Sequence, residues 1–208
     1  MERTGITRRA RLARRARPAR LARRLAAAGG AAGVALPLAG CGLFGSGVTI
    51  TEPSVMTVSS GAFERGIMPA RFTCTGPKVL NPPLSWAGAP SGTKSIALVV
   101  DDSSAPITPY VYWIVFDIRS ATSEIQEGLL PPGARQARNS AGHAFYDPPC
   151  PGLHGHSYRF TVYALNSVLN LPAGTSLQSA WTAIAAATIG RGRMTVSATS
   201  RGSLGLPS

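Results

Sequence analysis

The sequence predicts a mainly β domain with little helix, and three observations lead there. Apolar, β-branched and aromatic residues recur in short runs bounded by Gly, Pro and Asp. A single stretch repeats with helical spacing, and 23 Gly and 17 Pro punctuate the 208 residues. Apolar residues make up 44% and charged residues 14%, enough to bury a core, which excludes a disordered chain and a collagen-like fibre. Residues 48–51 (Val-Thr-Ile-Thr) carry the first strand propensity, at the end of a Gly/Ser-rich segment. Residues 95–100 (SIALVV) form an unbroken apolar run before Asp101-Asp102, the pattern of a central strand covered on both faces. Residues 110–118 (YVYWIVFDI) predict a second long strand. Residues 157–165 alternate, with Tyr158, Phe160, Val162 and Ala164 on one face and Arg159, Thr161 and Tyr163 on the other. Residues 177–189 predict a helix with Leu177, Ala180, Trp181, Ile184 and Thr188 on one face. Residues 194–199 (MTVSAT) close the series as a short strand. Between them lie Pro/Gly-rich loops at 81–83, 131–133 and 146–155, long enough to build a site and stiffened by proline.

A formal charge of +12 points at first to a nucleic-acid binder. Its distribution removes that reading. Residues 1–24 hold ten Arg and one Glu, a net of +9, so the other 184 residues carry only +3. The basic head precedes sixteen uncharged residues, 25–40, rich in Ala and Gly. A membrane-spanning helix needs roughly 20 apolar residues, so this run fits a secretory signal peptide instead. Leu38-Ala39-Gly40-Cys41 resembles the bacterial lipobox, with small residues before the Cys to be acylated. Residues 1–40 are therefore expected to be a lipoprotein signal peptide, and Cys41 the diacylglyceryl- and palmitate-bearing start of an exported protein. Two or three acyl chains hold a protein firmly on a bilayer, each buried CH₂ contributing about 0.8 kcal/mol. The anchor places the domain on the outer face of the bacterial cell membrane, with residues 41–58 as tether and 59–208 as the domain.

From Gly61 to about Arg201 the chain resembles the phosphatidylethanolamine-binding protein family, in its bacterial Raf kinase inhibitor-like branch. The resemblance is carried, in order, by IMPARFTCTG (67–76), NPPLSW (81–86), SGTKSIALVVDD–SAP (91–106), PPGARQARNSAG (131–142) and PPCPG–HSYRFTVYAL (148–165). It implies an antiparallel β-sandwich with one or two short helices near the C-terminus and a shallow pocket for anionic groups such as phosphate. Where the family has V-D-D-P-D-A-P, this chain retains Asp102 but has Ser103 and Ser104 for the proline and second acid. Where the family has F-V-H-W, it has Tyr112 for the His, followed by Trp113. Where the family has G-x-H-R-Y, it keeps His156 and Tyr158 but has Ser157 for the Arg. The family's rim Gly-Pro aligns with Pro148-Pro149.

The implied ligand-binding residues are thus Asp102, Ser104, Tyr112, Trp113, Pro149, His156 and Tyr158. Tyr112 keeps a hydroxyl donor without the positive charge an imidazole can carry. The changed residues imply weaker anion binding, since one charge-assisted hydrogen bond is worth about 1.5–3 kcal/mol. On the residues alone, Tyr112 and Trp113 are equally readable as strand-core aromatics, Asp102 as a turn cap and His156 as a structural His. Cys74 and Cys150 fall in matching blocks; export permits a disulfide between them, and packing as two thiols is the alternative.

No G-x-S-x-G elbow, P-loop or G-x-G-x-x-G occurs, and the His residues lack zinc-site spacing. The expectation is therefore no enzyme, no cofactor and no metal. The resemblance implies a non-catalytic protein that binds a small anionic or polar ligand, a phospholipid head group or a protein partner, and no nucleic acid. Inhibition of a protease or kinase through the loops is the second reading, and a hydrolase the third.

Overall fold

The structure, a computed structural model, describes residues 54–104, 108–152 and 155–199. The expected signal peptide, Cys41, residues 42–53 of the tether and His154 lie outside the described residues. Eight strands and one α-helix follow in order: β1 Ser54–Ser59, β2 Leu84–Ala87, β3 Ser95–Asp102, β4 Val111–Arg119, β5 Glu124–Ile125, β6 Arg135–Gln136, β7 His156–Leu165, α1 Leu177–Ala187 and β8 Thr188–Ala198. They form a single sheet in the order β5-β2-β1-β8-β7-β3-β4-β6. β1 runs parallel to β8, and every other pairing is antiparallel. The architecture is mainly β as predicted, but the antiparallel sandwich is corrected to one curled, mixed sheet.

The curl has a physical cause in the apolar pattern. Leu84 and Ile125 from one end of the sheet share a hydrophobic cluster with Val115 and Ile118 near the other. The sheet therefore wraps round that cluster, which also takes Ile96, Leu98 and Val100 of β3 and Tyr158, Phe160, Val162 and Ala164 of β7. The intervening residues Ala97, Val99, Ile114 and Phe116 face a second cluster, which Ala180, Ile184 and Ala187 of α1 cover. All eight residues of β3 are buried, the central strand the sequence predicts.

Four elements differ from expectation. Residues 54–58, assigned above to the tether, belong to β1, and β2 follows the 81–83 loop in a segment given no element above. β8 spans eleven residues rather than six. Its first half hides behind Gly190 and Gly192, which lower strand propensity, and close packing requires the second of them. A Cβ on Gly192 would collide with the Met56 backbone of β1. The helix, within the one or two expected, stops at Ala187 rather than at residue 189. Ser176 caps it by accepting from the Ser179 N–H at 3.1 Å. Thr188 opens β8, and Trp181, placed by periodicity on the packed face, is 40% exposed; Ala187 takes its share of the core.

Candidate functional site

The predicted polar residues meet because strand register brings them to one end of one sheet face. In β3 the residues facing the larger cluster are Ile96, Leu98 and Val100, so the next on that side is Asp102. In β7 the same face carries Phe160, Tyr158 and, two residues earlier, His156. Asp102 lies opposite Tyr158 in the antiparallel pairing. Tyr112 joins them through a break in the ladder: Val100 pairs with Trp113, yet Asp101 pairs with Val111. The extra residue is Tyr112, and the bulge turns it to the same side as Trp113. Asn139 pins the bulge by donating its side-chain N–H to the Tyr112 carbonyl at 3.1 Å, and the Asp147 N–H donates to that carbonyl too, at 3.1 Å.

Asp102 organises the site. One carboxylate oxygen accepts the Ser104 N–H at 2.7 Å, and the other lies 2.8 Å from His156 Nδ1. The carboxylate is nearly buried while the imidazole is 42% exposed, so the pair is a ring steered by an acid beneath it. With Nδ1 committed to Asp102, Nε2 is the imidazole's remaining polar atom. Ser104 Oγ accepts the Ser157 N–H at 3.0 Å, and Ser103 donates its hydroxyl to the Ser157 carbonyl at 2.7 Å. The two serines that replace proline and acid thus stitch the β3 end to β7.

Aromatic rings wall the other side. Tyr112 meets Tyr158 edge to face at 5.6 Å, His156 stacks on Tyr158 at 6.2 Å, and Tyr110 lies 4.8 Å from Tyr112. Burial, then the Asp102 charge, then Tyr110 and Asp147 push the Tyr112 phenol up to about 12. Tyr158 is raised as well, by burial first and then by Tyr112 and Asp102. Both therefore remain neutral donors at physiological pH. The Tyr158 hydroxyl is fully buried and has no hydrogen-bond partner among the described residues. A buried hydroxyl so placed is costly.

Asp102, Ser104, Tyr112, His156 and Tyr158 are brought together. Trp113 is a core side chain, 2% exposed, packed on Tyr146 at 5.5 Å with its ring N–H donated to Gln136 at 2.6 Å. Pro149 is buried, and its carbonyl accepts the Cys74 N–H at 3.0 Å. Cys74 and Cys150 form a disulfide, with Cα atoms 5.1 Å apart, that fastens this loop. Sequence reasoning passed over Asn139 and Tyr110. Asn139 stands in the matching block 131–142, and an Asn before Ser-Ala-Gly is a turn signal that could have singled it out. No group of three or more metal-ligating side chains occurs among the described residues. No helix there is long and apolar enough to cross a membrane.

A curled sheet presenting an acid-steered imidazole, two neutral phenols and serine hydroxyls at one strand end defines a class of small β-domains with polar groups gathered at that end. A profile of the phosphatidylethanolamine-binding protein family matches residues 58–199. The chain belongs to that family. A UPF0098 protein of Methanothermobacter thermautotrophicus is 37% identical over 145 residues, covering 67% of this chain and 95% of that one. A protein of Mycobacterium tuberculosis named putative lipoprotein LppC is 40% identical over 142 residues, covering 67% and 70%. Among solved structures, Escherichia coli YbcL, described as a member of the mammalian PEBP family, superposes with a TM-score of 0.63 at 26% identity. It covers 69% of this chain and 98% of its own. The PEBP homolog CT736 of Chlamydia trachomatis gives 0.62 at 31% identity, covering 69% and 97%.

Proposed function

We propose that this protein is a non-catalytic, lipid-anchored member of its family that binds a small anionic or polar group, such as a phosphate-bearing head group, over Asp102, Tyr112, His156 and Tyr158. The convergence of these side chains, with a buried phenol lacking an acceptor among the described residues, is the observation that carries the reading. An anion above the imidazole would accept from protonated His156 and from the two phenols, with Asp102 stabilising the ring's positive charge. The anchor reading rests on the basic head, the apolar run and Cys41, and a similar protein carries a lipoprotein name.

Calorimetric titration with O-phosphoethanolamine tests the site. His156→Ala and Tyr112→Phe should each weaken binding about tenfold or more, the value of one hydrogen bond to a charged group. Equal binding by wild type and both variants would overturn the assignment. Labelling with an alkyne fatty acid tests the anchor, and label persisting in Cys41→Ala would refute it.

A further inference from the structure

The adjacent acids Asp101 and Asp102 part company, because successive strand residues point to opposite faces. Asp102 serves the site above. Asp101 faces the other way and is held by Arg159, whose guanidinium pairs with it through two nitrogens. Beside that pair a groove of about 390 Å³ opens between α1 and β7–β8. Small-molecule sites begin near roughly 300 Å³ and combine apolar walls with a few convergent polar groups. The walls here are the half-exposed Trp181, set edge to face against Tyr163 at 6.3 Å, together with Leu177.

The polar groups are cationic. Arg191 and Arg193 project from β8 into the groove lining, and neither forms an ion pair among the described residues. Arg193 donates its Nε to Thr161 Oγ1 at 3.1 Å, which orients the guanidinium and leaves its terminal amino groups without a partner among the described residues. α1 supplies no charge at all over residues 177–187. Asp101 is already neutralised by Arg159, so the groove carries two uncompensated positive charges beside an aromatic wall. Both arginines also act on the Tyr163 phenol, lowering its pKa against the larger rise from burial.

We propose that this groove is a second binding site, on the sheet face opposite Asp102, for a small aryl carboxylate. The flat body packs on Trp181 and Leu177, and the carboxylate is forked by Arg193 and Arg191. The site needs neither the lipid anchor nor the family pocket.

The probe is 2-naphthoate, titrated calorimetrically into the full chain, with 2-naphthalenemethanol as the uncharged counterpart. One saturable site is expected, weakened about tenfold or more by Arg193→Gln through loss of a charge-assisted pair. Gln178→Glu, an exposed change on α1 that adds a negative charge at the rim, should weaken it likewise and guards against misfolding of the arginine variant. The uncharged counterpart should compete poorly, and saturating O-phosphoethanolamine should leave naphthoate binding intact. Absence of saturable binding, unchanged affinity in both variants, or displacement by O-phosphoethanolamine would each overturn the proposal. The last result would reassign the probe to the Asp102 site.

Discussion

Tyr158→Phe separates stability from binding, because the hydroxyl it removes costs the empty protein and serves the occupied one. The phenol is fully buried, and no protein group among the described residues accepts its proton. Leaving a polar group buried and unpaired costs roughly 1–3 kcal/mol, whereas the void left by one oxygen is small. The ring itself stays, so its edge-to-face contact with Tyr112 and its packing beside Phe160 are kept. The expected net gain is about 1–2 kcal/mol. For a domain of about 150 residues that raises the melting temperature by roughly 2–8 °C. The same substitution should weaken O-phosphoethanolamine about tenfold, since a donor to the anion is lost. Thermal unfolding followed by circular dichroism, in phosphate-free buffer, reads the first effect, and calorimetry reads the second. A variant that melts lower than wild type would show that the hydroxyl is already well paired. Unaltered affinity would show that it does not face the ligand. Either result refutes the reasoning.

The disulfide closes a long loop, between residues 74 and 150, so Cys150→Ser should cost about 2–4 kcal/mol and lower the melting temperature by roughly 5–15 °C. Mass spectrometry of unreduced peptides should recover Cys74 and Cys150 linked. Gly192→Ala places a methyl group against the Met56 backbone, where β1 meets β8, and should destabilise by about 2 kcal/mol or more in chemical denaturation. All five tyrosines have raised pKa values, chiefly through burial. A folded pKa above the unfolded value of 10.0 means that stability is intact below pH 10 and is lost as pH rises through the folded values. Phenolate absorbance at 295 nm from Tyr112, Tyr146 and Tyr158, the most strongly raised, should therefore appear together with loss of the circular dichroism signal, after that of the exposed Tyr110.

The central strands were legible because both of their faces are apolar, and neither edge geometry nor pairing order is needed to recognise them. β7 was legible by alternation instead: Tyr158, Phe160, Val162 and Ala164 join the larger cluster, while Arg159 and Thr161 point to the other face, where Tyr163 packs on the second cluster. What stayed hidden depends on partners far away in the chain. β8 reads as broken because Gly190 and Gly192 have poor strand propensity, yet the close approach of β1 leaves no room for a side chain at 192 unless the backbone shifts. Trp181 reads as core because helical spacing fixes only relative angles, and Ala180, Ile184 and Ala187 turn the buried stripe away from it. Asp102 and His156 are polar residues flanking strands, ordinary in isolation; a family motif singles them out, and only the register shows that they meet. The bulge at Tyr112 leaves no mark in hydropathy, since an extra residue in YVYWIVFDI changes only which way the ring points.

That bulge, with strand alternation, distributes chemistry over the whole sheet. Regular pairing through β4 would put Tyr112 on the face opposite Trp113, beside Asp101 and Arg159, and leave Asp102 and His156 without their aromatic wall. One inserted residue moves a phenol from the cationic face to the acidic one. The acidic side then gathers a carboxylate, an imidazole and two neutral phenols, while the other keeps its arginines and an exposed indole. Each face is internally consistent: donors stand over an acid that can support a charged imidazole, and cations stand beside rings with no ion-pair partner among the described residues. A strand buried on both faces is usually silent chemically. Here its polar terminus, Asp101-Asp102, sends one carboxylate to each side, where Asp102 steers the His156 imidazole and Asp101 holds the Arg159 guanidinium.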